Sequence, residues 1–172
     1  KKIIMKWDYE FDVVVIGSGN GALTSALCCH DGGAKTLVIE KSTQFGGTSA
    51  TSGGGVWIPN NRYAKAENVD DCDEDARNYI NSVSPEGRIK DELVETYLSE
   101  GPKMIDYLHE YSQVKYRNLA HYPDYFPDNP GGKAGNRSME PEPIKGTELG
   151  DDLGKLRGQH PQTAFTMGPI NM

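Results

Sequence analysis

Residues 12–22 read Asp12-Val13-Val14-Val15-Ile16-Gly17-Ser18-Gly19-Asn20-Gly21-Ala22, and this stretch decides the fold. Its apolar, β-branched start predicts a short strand buried on both faces. Glycines follow at once. Leu23, Ala26 and Leu27 then fall at the spacing of one helix face, and Gly32 and Gly33 end the helix. Thr36, Leu37, Val38 and Ile39 predict a second strand, closed by Glu40. Strand, glycine turn, helix and strand make the repeating unit of an α/β fold with a parallel sheet.

Each residue of the turn has a physical task. Gly17 permits the tight exit from the strand, and Gly19 lets the backbone approach a pyrophosphate closely. Ala22 keeps the helix against the sheet. Gly21 completes the glycine set. The helix N-terminus offers N–H groups and partial positive charge to phosphates. Glu40 lies 23 residues after Gly17, at the spacing of an acid that accepts hydrogen bonds from a ribose. Such an acid disfavours a 2′-phosphate, so NADP is not expected.

A second loop selects FAD over NAD as the cofactor. Gly46, Gly47, Thr48, Ser49, Ala50, Thr51, Ser52, Gly53, Gly54 and Gly55 present backbone N–H groups and short hydroxyls, suited to phosphate, ribityl and ring polar atoms. A simple NAD domain has no need of this loop. Val56, Trp57, Ile58 and Pro59 follow directly, which indicates packing and not a free tether.

These residues carry a resemblance. The run Gly17 to Ala22, Glu40 with Lys41, and the stretch Gly46 to Asn60 resemble the flavoprotein family of fumarate reductases and 3-ketosteroid dehydrogenases. The wording GGTSATSGGGVWIPNN is most similar to the 3-ketosteroid Δ1-dehydrogenase branch. The resemblance implies a Rossmann-like FAD-binding domain, with additional helices and an irregular C-terminal segment. It implies that Ser18, Asn20, Glu40, Lys41, Gly46, Gly47, Thr48, Ser49, Ser52, Gly53 and Gly54 line FAD, beside Gly17, Gly19, Gly21 and Ala22 of the turn. Asn20 departs from the small residue common there; its side chain can face solvent or donate to a phosphate. Members of the family are several hundred residues long, so the 172 residues match their first third and the chain is expected to be incomplete. Residues 8–120 are expected to form the N-terminal part of the FAD-binding domain with a helical layer. Residues 121–172 are expected to be an irregular segment completed by further chain.

Composition excludes other functions. A net charge of −7 without a basic stripe argues against a nucleic-acid partner. No apolar run reaches the ~18–20 residues of a membrane helix. Lys6, Trp7, Asp8 and Glu10 interrupt the apolar start, so the beginning does not read as a signal peptide. Cys28, Cys29 and Cys72 have no metal-ligand spacing and read as reduced thiols of a cytoplasmic protein. His30, His109, His121 and His160 are scattered and read as surface or packing residues; no metal is expected.

After the glycine loops, residues 60–71 read as a polar surface connection. Asp73, Glu74 and Asp75 open a helix whose face is Ala76, Tyr79, Ile80 and Val83. Ile89, Leu93, Val94, Tyr97 and Leu98 predict a second helix, ended by Gly101, and Pro102 opens a third with Met104, Ile105, Leu108 and Tyr111. A strand is expected over Val114 to Arg117. From His121 onward, with seven of the ten prolines, no self-supporting core is expected.

Within that segment, Tyr122, Tyr125 and Phe126 are held between prolines, a stiff aromatic surface with polar tips that suits a flat apolar ketone. The residues alone also allow simple loop packing. YPDYFPDNPGG resembles the segment of the steroid dehydrogenase branch that carries an active-site tyrosine. That resemblance implies a catalytic role for Tyr125, as hydrogen-bonded partner of a base, with Tyr122 and Phe126 lining the substrate pocket. The implied reaction removes two hydrogens from adjacent carbons beside a ketone, as in 1,2-dehydrogenation of a 3-ketosteroid, and needs an electron acceptor. The base and the donors to the carbonyl are expected from chain beyond these residues. Two alternatives remain at this point. One is a fumarate-reductase-type flavoprotein, which needs cations such as Arg117 or Arg137 for carboxylates. The other is an FAD-binding module without activity, and beside both NAD as the sole cofactor stays open.

Overall fold

The computed structural model describes residues 7–158. His160, the opening six residues with their signal-peptide reading, and the end of the 121–172 segment lie outside the described residues. Two units are distinguished, residues 7–52 with 145–158, and residues 53–144.

In the first unit, β1 (Val13–Ile16) and β2 (Thr36–Ile39) pair in parallel, Val13 beside Thr36 through Ile16 beside Ile39. Helix α1 (Asn20–Asp31) connects them and packs on both. Gly17 has φ +95°, a conformation a β-carbon would strain, and its N–H donates to the Ile39 carbonyl at 2.7 Å. One expectation is corrected. β1 is not covered on both faces: Val13 and Val15 are half-buried, while Val14 is 51% and Ile16 82% exposed. A two-stranded sheet with one helix has cover for one face among the described residues, so the strand alternates. Downstream, Phe45 pairs with the distant segment at Leu156: the Phe45 N–H donates to the Lys155 carbonyl and the Arg157 N–H to the Phe45 carbonyl, both at 2.9 Å. Short 3-10 turns occupy Ser49–Thr51 and Gly146–Lys155, the latter kinked at Gly150.

The second unit contains β3 (Val56–Trp57), α2 (Arg62–Ala66), α3 (Asp73–Val83), α4 (Asp91–Tyr111), β4 (Tyr116–Asn118) and β5 (Ser138–Pro141). The strands form an antiparallel sheet in the order β3-β5-β4, with Met139 opposite both Val56 and Asn118. Ile58, Ile105, Leu108, Tyr116 and Met139 form one buried cluster, and Ala76, Val94 and Leu98 another. The segment after His121 is irregular, yet it supplies the central strand of this sheet.

Three local expectations change. The two helices expected on either side of Gly101 are one. Pro102 sits inside α4, where its missing N–H forgoes one backbone bond. The helix survives because its buried stripe is Val94, Leu98, Gly101, Ile105 and Leu108, which runs straight through the expected break. Gly101 is in that stripe for close approach: a β-carbon would stand 3.3 Å from Ile58 Cδ1. The expected surface connection after Asn60 holds α2, started by a fully buried Asn61 whose Oδ1 accepts from the Tyr63 and Ala64 N–H groups. β4 starts two residues later than expected. In α3 the acidic first turn is as expected, and Cys72 has a structural task, its Sγ accepting from the Asp75 N–H at 3.5 Å.

Candidate functional site

In the first unit, Gly17, Ser18, Gly19, Glu40, Lys41, Gly47 and Thr48 line one crevice of about 640 Å³ with Ile16, Ile39, Ser42, Gln44 and Arg157. The turn after β1 and the end of β2 meet there because the strands are parallel and neighbouring, so both carboxyl ends open at the same edge.

Ser18 ties the crevice together. It is 3% exposed, its hydroxyl donates to Glu40 Oε2 at 2.6 Å, and it accepts from the Gly46 N–H at 2.9 Å. The Ser42 N–H donates to the other Glu40 oxygen at 3.0 Å. The Ser18 hydroxyl first, and the Ser42 N–H second, hold the Glu40 carboxyl below its ordinary 4.5. What this contributes to the fold is present in full above the ordinary glutamate range, and is lost only as pH falls through the lowered value. An NMR titration should therefore place the Glu40 midpoint below 4.5, and Ser18→Ala should move it up; an unmoved midpoint would mean that Ser18 does not govern this acid.

The second glycine loop meets the first through Ser49, whose Oγ accepts from the Asn20 N–H at 3.0 Å. A β-carbon on Gly19 would stand 3.3 Å from that same oxygen, so the approach is tight there. Of the other expected residues, Gly21 and Ala22 lie in the first turn of α1 and Gly46 lies beneath Ser18, off the crevice wall. Ser52 donates to the Ser49 carbonyl at 3.0 Å. Gly53 and Gly54 belong to the second unit, where Gly54 packs on Pro141.

The donor set fits an adenine dinucleotide. A fixed carboxylate can accept from ribose hydroxyls, Lys41 and Arg157 are cations for phosphate, and a bare glycine turn leads into a helix N-terminus. Arg157 was not anticipated. It reaches the crevice through the Phe45–Leu156 pairing, for which the sequence near Arg157 holds no local signal.

In the second unit, Tyr122, Tyr125 and Phe126 come together on one apolar cavity of about 360 Å³. Gly55, Val56, Trp57, Tyr79, Ile80, Val83, Leu119, Pro123, Asp124, Ser138 and Met139 complete its wall. Tyr125 is 82% exposed, a phenol presented outward and not packed away. Burial, and then the neighbouring Tyr125 phenol, push the Tyr122 phenol above its ordinary value, so it stays protonated and able to donate.

Beneath this wall lies a buried charge cluster that sequence reasoning missed. Arg137 is 1% exposed and donates to Asp71 at 2.7 Å, to Asp124 at 3.0 Å and to the Gly131 carbonyl at 2.8 Å. Its guanidinium lies 5.6 Å from the Trp57 ring centre and 5.9 Å from that of Tyr79. Burial works against its charge, but the bonds and charges of Asp71 and Asp124 outweigh burial and raise its pKa. Gly131 is pressed close: a β-carbon there would stand 2.0 Å from the Asp75 carbonyl oxygen. No histidine among the described residues lines either site: His109 Nδ1 is 2.8 Å from the Tyr63 hydroxyl, and His30 and His121 are exposed. Among the described residues no three metal-ligating side chains gather, and no helix is long and apolar enough to cross a membrane.

Comparison with known proteins places this chain. A 3-oxosteroid 1-dehydrogenase of Mycolicibacterium smegmatis is 40% identical over 163 residues, covering 95% of this chain and 28% of that protein. A 4-oxocyclohexanecarboxylate 2-dehydrogenase of Sinomonas cyclohexanicum is 38% identical over 157 residues, covering 91% of this chain and 27% of that protein. The crystal structure of the 3-ketosteroid delta1-dehydrogenase from Sterolibacterium denitrificans in complex with 1,4-androstadiene-3,17-dione matches with a TM-score of 0.86 at 36% identity, over 92% of this chain and 29% of that one. The chain thus spans less than a third of the length of these relatives. Residues 12–170 match the family described as FAD binding domain, and with the strand, glycine turn, helix and second strand in their expected order the chain belongs to that family.

Proposed function

We propose that this chain is the FAD-binding part of a dehydrogenase that removes two hydrogens from adjacent carbons of a neutral cyclic ketone of the 3-ketosteroid kind. Cofactor contacts fall to residues of the 8–120 part, joined by Arg157, and substrate contacts to the tyrosines of the 121–172 part. The observation that carries the substrate half is the cavity wall. It is mainly aromatic and aliphatic, with phenol hydroxyls as polar handles, Asp124 and Ser138 as further polar residues, and no lysine or arginine among its lining residues. A carboxylate substrate would need a cation there. Arg137 is spent on Asp71 and Asp124, and Arg117 is paired with Glu140. This counts against the fumarate-type reading.

Gly17, Ser18, Gly19, Glu40, Lys41, Gly47, Thr48 and Arg157 would hold FAD, with Asn20 and Ser49 beside them and Gly21, Ala22, Gly46, Ser52, Gly53 and Gly54 shaping the loops. FAD supplies, when bound, a two-electron acceptor for the hydride that leaves the substrate. Tyr125 is the hydrogen-bonded partner of the base that removes the proton beside the carbonyl, and Tyr122 and Phe126 orient the ring system. For a tyrosine base, whose phenol titrates near ~10 unassisted, a donor aimed at the ionised form is what brings the pKa down. An external acceptor then takes the two electrons onward. The free thiols fit a reducing compartment, and we place the protein in the cytoplasm.

The relatives include both steroid and cyclohexanecarboxylate enzymes, so turnover of the two substrate types is the test. A 3-ketosteroid should exceed 4-oxocyclohexanecarboxylate in kcat/KM by about 100-fold or more, the size of leaving a buried carboxylate unpaired. The reverse preference would overturn the reading. Stoichiometric FAD uptake without turnover of either would favour a binding module.

A further inference from the structure

The tyrosine segment is half-buried at Tyr122, exposed at Tyr125 and Phe126, and fully buried at one residue. Tyr125 is 82% and Phe126 58% exposed, yet Asp124 between Pro123 and Tyr125 is 3% exposed. Its carboxylate is fully engaged. Oδ1 accepts from the Trp57 Nε1–H at 2.6 Å, and Oδ2 accepts from the Lys133 N–H and from Arg137, both at 3.0 Å. The Asp124 N–H donates in turn to the Lys133 carbonyl at 2.9 Å, so the backbone between Asp124 and Lys133 is closed from both ends. On the other side of Tyr125, the Phe126 N–H donates to the Tyr79 hydroxyl at 3.3 Å.

We propose that Asp124 is a positioning residue, which acts on the reaction through Tyr125 by fixing the backbone from which that phenol projects. The inference rests on the reading that Tyr125 meets the substrate. With its neighbours on both sides tied down, Tyr125 keeps only its own side-chain rotations, a choice among a few wells. An all-apolar cluster of equal volume in place of Asp124 and its charged partners would pack about as well, because a buried ion pair is weak evidence for stability. What the carboxylate adds is direction: three donors from β3, from the Gly131–Lys133 turn and from the residue just before β5 converge on one side chain. A site held in this way stays within the narrow geometry that catalysis needs.

The experiment is a double-mutant cycle in the FAD-loaded protein, reading kcat and KM on a 3-ketosteroid for wild type, Asp124→Asn, Tyr125→Phe and the double variant. Asp124→Asn should lower kcat about 10-fold, with KM within about 3-fold, as expected for a misplacement of under 1 Å. In the Tyr125→Phe background the same change should cost less than about 2-fold, since the group it positions is gone. A merely structural role would cost the same in both backgrounds, and that result, or wild-type kcat in Asp124→Asn, overturns the proposal. Wild-type turnover in Tyr125→Phe alone would instead refute the reading of Tyr125, and the positioning role with it. Should Asp124→Asn not fold, Trp57→Phe removes one donor and keeps a ring. It should lower kcat in the wild-type background and not in Tyr125→Phe, and equal losses in both would contradict the proposal.

Discussion

Tyr125→Phe is expected to lower kcat on a 3-ketosteroid by about 100-fold while leaving KM within about 3-fold, the low end of what a positioned proton-transfer group contributes. The substitution keeps the ring that lines the cavity and deletes only the hydroxyl, so apolar binding is preserved. The loss falls on the step in which the base must be ionised. A hydrogen bond donated to an ionised group lowers its pKa, and its removal raises it. The pH at which kcat reaches half its plateau should therefore move upward in the variant. A large rise in KM with unchanged kcat would instead mean that Tyr125 only binds substrate.

The largest stability effect is expected at Arg137. Replacing it with methionine leaves the Asp71 and Asp124 side chains, 5% and 2% exposed, buried without their cation. Breaking a buried pair by removing one partner costs about 3–5 kcal/mol. Urea denaturation of Arg137→Met should show that loss, and it should disturb the Tyr122–Phe126 segment with it, since Arg137 also holds the Gly131 carbonyl. Glu95→Gln, which weakens the exposed pair with Arg77, should cost about 1 kcal/mol or less and provides the contrast. Similar losses at the two positions would mean that the cluster does not organise the second unit.

The contrast between these pairs marks what a sequence can disclose. The opening strand, turn, helix and strand were legible because each signal is local: β-branched residues, a glycine turn, and an acid at a fixed distance. The second glycine loop was legible as chemistry, through its density of glycines and hydroxyls. The tyrosines were readable as a candidate surface, and they do share one cavity wall. The Arg137 cluster was not legible, since Asp71 stands 66 positions away and nothing near either residue announces the other. Arg157 was missed for the same reason, being delivered to the crevice by a pairing with Phe45. Gly101 and Pro102 misled in a different way. They are the usual marks of a helix end, and here burial of the stripe through Gly101 outweighs the bond lost at Pro102. The exposed faces of Val14 and Ile16 show a further limit: β-branched runs report the strand but not which of its faces is covered.

The most direct measurement of the whole account is anaerobic mixing of the FAD-loaded protein with a 3-ketosteroid, followed by the flavin's visible absorbance. The account predicts stoichiometric FAD, bleaching on addition of the steroid, and loss of FAD uptake in Gly19→Val, whose side chain would fill the approach to Ser49. A protein that takes up no FAD, or whose bound flavin stays oxidised with the steroid and is bleached by 4-oxocyclohexanecarboxylate, would contradict it.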